Sequence, residues 1–189
     1  MSRTHDAPLL PWAVMNPLAG RRGKAYILDC VGYLGIAAAT VPVGLIARNA
    51  GWGEHRAFVF VASAVPPVLA TLLAARRESG PNGATWGKRR FGLRVQDTGG
   101  ADLQFGRALL RNTLKIAIPW QLGHAVAIGA AFGGYSDGDP VTLAATFLTY
   151  PLIGVMVAGV LIGRGRTVYD RVAGTAVEAA PAERLEPAR

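Results

Sequence analysis

The sequence predicts an all-α membrane protein of four transmembrane helices, arranged as two tandem two-helix units with a small cytoplasmic hairpin region. Three observations predict it. Apolar residues make up 51% of the chain and charged residues only 17%, against about a quarter charged in soluble domains. The apolar residues gather in four stretches of bilayer length, residues 25–47, 57–75, 114–132 and 141–163. If these cross in turn, all of the 20 Lys and Arg except Arg48 and Arg56 lie on one side. The positive-inside rule makes that side the cytoplasm and places both termini there.

Residues 1–19 carry Pro8, Pro11 and Pro17 and read as a flexible cytoplasmic tail. The apolar run 9–15 is short, broken by Pro11, and lacks a signal-peptide cleavage site. The first stretch is therefore expected to act as an uncleaved insertion signal. It and the last stretch each cover roughly 34 Å as helix, enough to cross with some tilt. The second has no ionisable side chain. In hydrocarbon each backbone must satisfy its own hydrogen bonds, so all four are expected to be helical. Residues 49–54 and 135–140 supply short outer turns, both containing glycine.

The connection 76–113 is the only long one. After a breaker cluster from Ser79 to Gly83, Phe91, Leu93 and Val95 alternate with Gly92, Arg94 and Gln96, the period of a strand. Asp97, Thr98, Gly99 and Gly100 supply turn chemistry, which predicts a local hairpin returning toward Leu103. From Phe105 the pattern is helical, with Arg107, Arg111 and Lys115 four apart on one face, as in a segment lying in the interface. The third span is the weak one, holding Pro119, Gln121 and His124, and should lie against protein more than lipid. Gly129 with Gly133, and Gly159 with Gly163, have the spacing of close helix packing. Pro42, Pro66, Pro67, Pro119 and Pro151 are expected to kink their helices or sit near the ends. Residues 20–178 form one membrane domain and 179–189 a second cytoplasmic tail. Cys30 stands alone, which excludes an internal disulfide and suits a small packing residue.

Part of the chain repeats itself. Residues 85–95 read TWGKRRFGLRV and residues 167–177 read TVYDRVAGTAV, sharing Thr85/Thr167, Arg89/Arg171, Gly92/Gly174 and Val95/Val177. Each follows a pair of spans. Gly20-Arg21 and Gly106-Arg107 echo each other at the openings of spans one and three. Two fused units in the same orientation would be related by a pseudo-twofold axis along the membrane normal. Under that relation Asp29 corresponds to Lys115 and Lys88 to Asp170, which places opposite charges around one axis.

Arg22 and Asp29 share a helix face, seven residues apart, with Asp29 about one turn inside the first span. A carboxylate there is costly and needs protein or water. Its candidate partners are Arg22, Lys115 and the arginines of the repeated segments. It either anchors helix packing through a buried pair or binds a cation or proton. These residues, with the two Thr-containing segments in order, resemble the RDD family of membrane proteins, named for one arginine and two aspartates. The resemblance covers about residues 18–178 and implies that the naming residues are Arg22, Asp29 and Asp170, with Asp97 the other candidate for the last. The family usually has His where Tyr169 stands. It implies a multi-helix membrane domain for which transport is often suspected.

The candidate charge network is therefore Arg22, Asp29, Lys88, Lys115, Asp170 and Arg171. His5, His55 and His124 have no metal-ligand spacing, and His124 reads as a hydrogen-bonded helix contact. No nucleophile–base arrangement or phosphate loop stands out, so neither an enzyme nor a cofactor is expected. The net charge of +8 is accounted for by attraction to anionic headgroups rather than nucleic acid. Two functions follow. One is a small cation/proton transporter or transporter subunit, working as a homo-oligomer, most simply a dimer. The other is a non-transporting scaffold or partner-binding module with a basic, lipid-facing cytoplasmic surface.

Overall fold

A computed structural model describes residues 15–181. The predicted tails therefore lie largely outside the described residues, as do Arg3, His5 and the run 9–14. The chain forms eight α-helices and two strands among those residues: α1 (Ala19–Asn49), α2 (Arg56–Ala62), α3 (Val65–Glu78), α4 (Trp86–Arg90), β1 (Leu93–Asp97), α5 (Phe105–Asn112), α6 (Ile118–Ala131), α7 (Pro140–Leu161), α8 (Val168–Val172) and β2 (Thr175–Ala179). Three helical stretches are long and apolar enough to cross a membrane: α1 with 31 residues, α2–α3 with 23 and α7 with 22. Their apolar side chains point outward. Ile27 is 68% exposed and Phe147 75%, which suits a hydrocarbon solvent and would be a liability in water.

Proline explains the breaks. Pro66 and Pro67 cannot donate to carbonyls in α2, and the helix bends at Ser63 and Ala64 between α2 and α3. Pro119 lacks the donor that would reach Lys115, and a π-helical turn at Thr113–Ala117 joins α5 to α6. The stretch predicted to start at 114 is thus one helical run from Phe105 to Ala131. The expected interfacial segment is corrected here. Ala108, Arg111 and Asn112 are buried against α3 rather than lying on a lipid surface.

The glycine pairs are also corrected. Gly133 (φ 76°) and Gly163 (φ 59°) follow the ends of α6 and α7 in the left-handed conformation, where only glycine sits without strain. Gly134 donates to the Gly129 carbonyl across the first of these ends, at 2.7 Å. Only the first glycine of each pair packs a helix. Gly129 lies against Thr142 of α7, and Gly159 against Thr167.

The predicted local hairpin does not form as a two-strand ladder. Asp97 closes a turn by accepting from the Gly99 and Ala101 amides, and a single bridge links Gln96 to Asp102. The partner of β1 is instead β2, antiparallel, with Leu93 opposite Ala179 and Val95 opposite Val177. This sheet joins the two repeated segments, with the equivalent Val95 and Val177 opposite each other at its centre. Thr85 and Thr167 precede α4 and α8 with nearly the same backbone angles, ψ 169° and 170°. Gly92 (φ 59°) and Gly174 (φ 64°) then turn each chain into its strand. Leu93, Val95, Leu103 and Val177 make a small apolar core with Ala25, Ala75 and Ala108.

The start of α1 ties these parts together. Asn16 donates through its amide to the Leu161 carbonyl at 2.8 Å. Arg21 donates to the carbonyls of Phe91 and Gly92 at 2.6 to 2.9 Å. The N-terminal end of α1, both repeated segments and the end of α7 therefore meet at one end of the bundle.

Candidate functional site

Beneath the sheet, side chains from both units converge on a buried charge network. Asp170, the third residue of α8, closes a capping box with Thr167, and both are fully buried. Its carboxylate accepts from Arg22 Nη2 at 3.0 Å, Arg111 Nε at 2.9 Å, Thr167 Oγ1 at 2.8 Å and Thr175 Oγ1 at 3.2 Å. Burial pushes this carboxyl up, but Arg111 and Arg22, helped by Thr167, outweigh it and hold it below the ordinary carboxylate value. Arg22 also donates to the Gly165 carbonyl.

Arg111 spans two carboxylates. Besides Asp170 it donates through Nη1 to both oxygens of Glu78 at 2.8 Å, and its guanidinium lies 5.2 Å from the Tyr169 ring centroid. Glu78, at the end of α3, takes further bonds from Lys88 Nζ at 2.7 Å and Asn112 Nδ2 at 2.8 Å. Lys88 also donates to Thr85 Oγ1 at 3.3 Å, and Thr85 donates to Asp29 at 2.6 Å. The network is continuous from Asp29 through Thr85, Lys88, Glu78, Arg111 and Asp170 to Arg22.

Asp29 is held differently from the sequence expectation. Its oxygens accept from the Thr85 hydroxyl and from the Gly87 amide at 2.7 Å, so it caps α4 across the helix interface. Arg22, on the same face of α1, turns instead to Asp170. Glycine is required at position 87, where a Cβ would run into the Ala25 carbonyl and lie 2.8 Å from Asp29 Oδ1. Arg171 is the other correction. It is exposed and donates to the Arg166 carbonyl at 3.3 Å, outside the network. Of the six predicted residues, Arg22, Asp29, Lys88 and Asp170 are linked. Lys115 is buried beside them over the Tyr26 ring, 5.1 Å from its centroid.

Glu78, Arg111 and Asn112 were missed. Glu78 ends an apolar stretch among Arg76 and Arg77, where an acid reads as surface. Arg111 had the spacing of a basic stripe. One signal was available: Glu78 and Asp170 end the second and begin the last helical segment on the side where the charge pattern gathers the Lys and Arg, and each needs a cation.

The opposite end of the bundle holds a second, smaller set. Asp139 caps α7 by accepting from the Thr142 amide at 2.8 Å and pairs with Arg56 at 2.5 Å. The hydrogen bonds from Arg56 and Thr142 hold its carboxyl well below the usual range. His124 accepts from Trp120 one turn earlier at 3.0 Å.

A cavity of about 690 Å³ opens beside the network, between α1, the α5–α6 run and α7. Arg22, Lys88, Arg111, Lys115 and Tyr169 line one end of it, and Leu34, Trp120 and Ile153 the other.

The family model described as the RDD family matches residues 16–174. No curated protein and no solved structure matches the chain.

Proposed function

The chain belongs to the RDD family of membrane proteins, and on that premise we propose that it is a non-transporting, non-enzymatic membrane module. Its buried arginine–carboxylate network is a structural lock, and its basic cytoplasmic face engages anionic headgroups. One observation carries this reading: each buried carboxylate of the network is already engaged. Glu78 and Asp170 take guanidinium and ammonium donors, and Asp29 takes a hydroxyl and an amide. Arg22, Lys88 and Arg111 already match the three carboxylates in number, and Lys115 lies beside them. A cation would meet repulsion there.

The same geometry supports four spans with both termini cytoplasmic. β1 and β2 pair with each other, so they lie on one side of the bilayer. If α7 crosses between them, the run from Phe105 to Ala131 must cross too. Contacts of Asn16 and Arg21 apply the same logic to α1 and α2–α3. The expected homodimer is proposed to form along the exposed α1 stripe of Ile27, Val31, Val41 and Leu45.

One feature favours cation/proton transport as the second reading: Asp29 has no guanidinium partner to displace. Flux in proteoliposomes separates the two. The lock predicts no proton-dependent cation flux, and an Asp29→Asn protein with a lower unfolding temperature that no cation restores. Flux lost in Asp29→Asn at unchanged thermal stability would overturn it.

A further inference from the structure

We propose that the cavity between α1, α5–α6 and α7 binds a single-chain anionic amphiphile, a fatty-acid-like carboxylate, with its head on Lys115 and its tail along α7. This goes beyond the structural reading of the network and leaves it intact.

Lys115 sits in the π-helical turn, 7% exposed, and makes no hydrogen bond or ion pair among the described residues. Its side-chain nitrogen lies 5.1 Å from the Tyr26 ring centroid, within the field of Glu78 and Asp29. Arg22, Lys88 and Arg111 each contact a carboxylate, and Lys115 contacts none. A second polar group of the same cavity also lacks a partner: the Tyr33 hydroxyl is buried without a hydrogen bond. A carboxylate head at this end of the cavity would give Lys115 the charged partner it lacks.

The cavity is ordered by polarity along the membrane normal. Arg22 and Lys115 line the half nearer the sheet, with Val157 one turn from the end of α7; Leu34, Trp120 and Ile153 line the rest. From Arg22 to Leu34 the wall extends roughly 18 Å by helical rise. At about 30 Å³ per water-sized group, its volume takes on the order of twenty heavy atoms. That is one acyl chain with its head, and too little for two chains. Head at the interface and tail toward the bilayer centre is also how such an amphiphile lies in the leaflet, so it enters sideways.

The test uses Trp120 as the reporter. In full-length protein with Trp12, Trp52 and Trp86 replaced by Phe, a bromine-labelled long-chain fatty acid is titrated in a neutral detergent. Saturable quenching of Trp120 is expected. Lys115→Gln should weaken it about tenfold or more, the weight of a charge-assisted hydrogen bond, while Lys115→Arg retains it. The brominated alcohol of equal length should quench without saturation. Ile153→Phe, which keeps Trp120 as the reporter, narrows the tail space and should weaken binding even if Lys115→Gln fails to fold. Equal saturable quenching by the alcohol, or undiminished binding in the folded Lys115→Gln protein, would overturn the proposal. So would tighter binding of a brominated two-chain phospholipid. Cation flux is measured separately, so failure of this site and failure of the lock remain distinct.

Discussion

Arg111 shows how one side chain decides the arrangement of its neighbours. It is 1% exposed and bridges Glu78 and Asp170, both buried completely. Replacing it with leucine keeps the volume roughly but leaves two carboxylates facing each other in low dielectric. Removing one partner of a buried ion pair costs about 3–5 kcal/mol, so Arg111→Leu is expected to unfold or fail to accumulate. Arg107, one turn away, is 53% exposed and 3.7 Å from Asp97, and Arg107→Leu should change stability by less than about 0.5 kcal/mol. Denaturant titration in detergent micelles measures both; equal losses would refute the bridging role. Asp170 adds a pH dependence. Its folded value lies below the ordinary 3.8, so its contribution is complete above 3.8 and is lost as pH falls through the lowered value. The gap in unfolding temperature between wild type and Asp170→Asn should therefore be constant from pH 7 to about 5 and close under stronger acid. A gap that widens in acid would count against it.

At the level of elements, the sheet is where the two halves of the chain meet. Arg94 and Glu178 face each other in the β1–β2 register. They form a hydrogen-bonded pair of the ladder, whose Cβ atoms stand about 5.5 Å apart, wider than an unstrained disulfide but within reach of a short reagent that joins two thiols. Arg94→Cys with Glu178→Cys, in a Cys30→Ser background, is expected to cross-link intramolecularly with such a reagent. Arg94→Cys with Ala176→Cys, two positions out of register, should cross-link far less. Equal cross-linking of both pairs would remove the register. The repeat that produced this sheet was legible in the sequence, because Thr, Gly and Val recur at fixed offsets and each has a local mechanical job. The pairing of the repeats was not. The turn residues at Asp97–Gly100 suggest a local return equally well, and only the contacts of Val95 with Val177 decide between them. Helix existence was likewise readable from apolar length. The π turn and the break at Ser63 were not, since each depends on where a proline withdraws one donor. In the site, Arg22 and Asp170 could be named by motif, but their direct pairing joins residues 148 apart. The part played by Glu78 required knowing that α3 ends against α5.

For the whole molecule, the proposed even number of crossings is the reading to test. Charge asymmetry and the sheet each favour it. Cysteine labelling in intact cells tests it, again with Cys30→Ser. A membrane-impermeant maleimide should modify Asp137→Cys from outside, and Arg90→Cys only after permeabilisation. Labelling of Arg90→Cys in intact cells would sink the topology.

The position of Asp170 in the chain has a consequence for biosynthesis. Arg22 and Arg111 enter the membrane-facing core early in translation, but their shared carboxylate and the strand that pairs with β1 emerge after α7. At ribosomal speeds of roughly 5–20 residues per second, the nascent protein spends several seconds with Arg22 lacking its carboxylate, Arg111 paired to Glu78 alone and an open strand edge. The early helices must wait in a loose, solvated state, and the last segment acts as the latch that completes assembly. A chain arrested before Thr167 would present that unfinished state to membrane quality control.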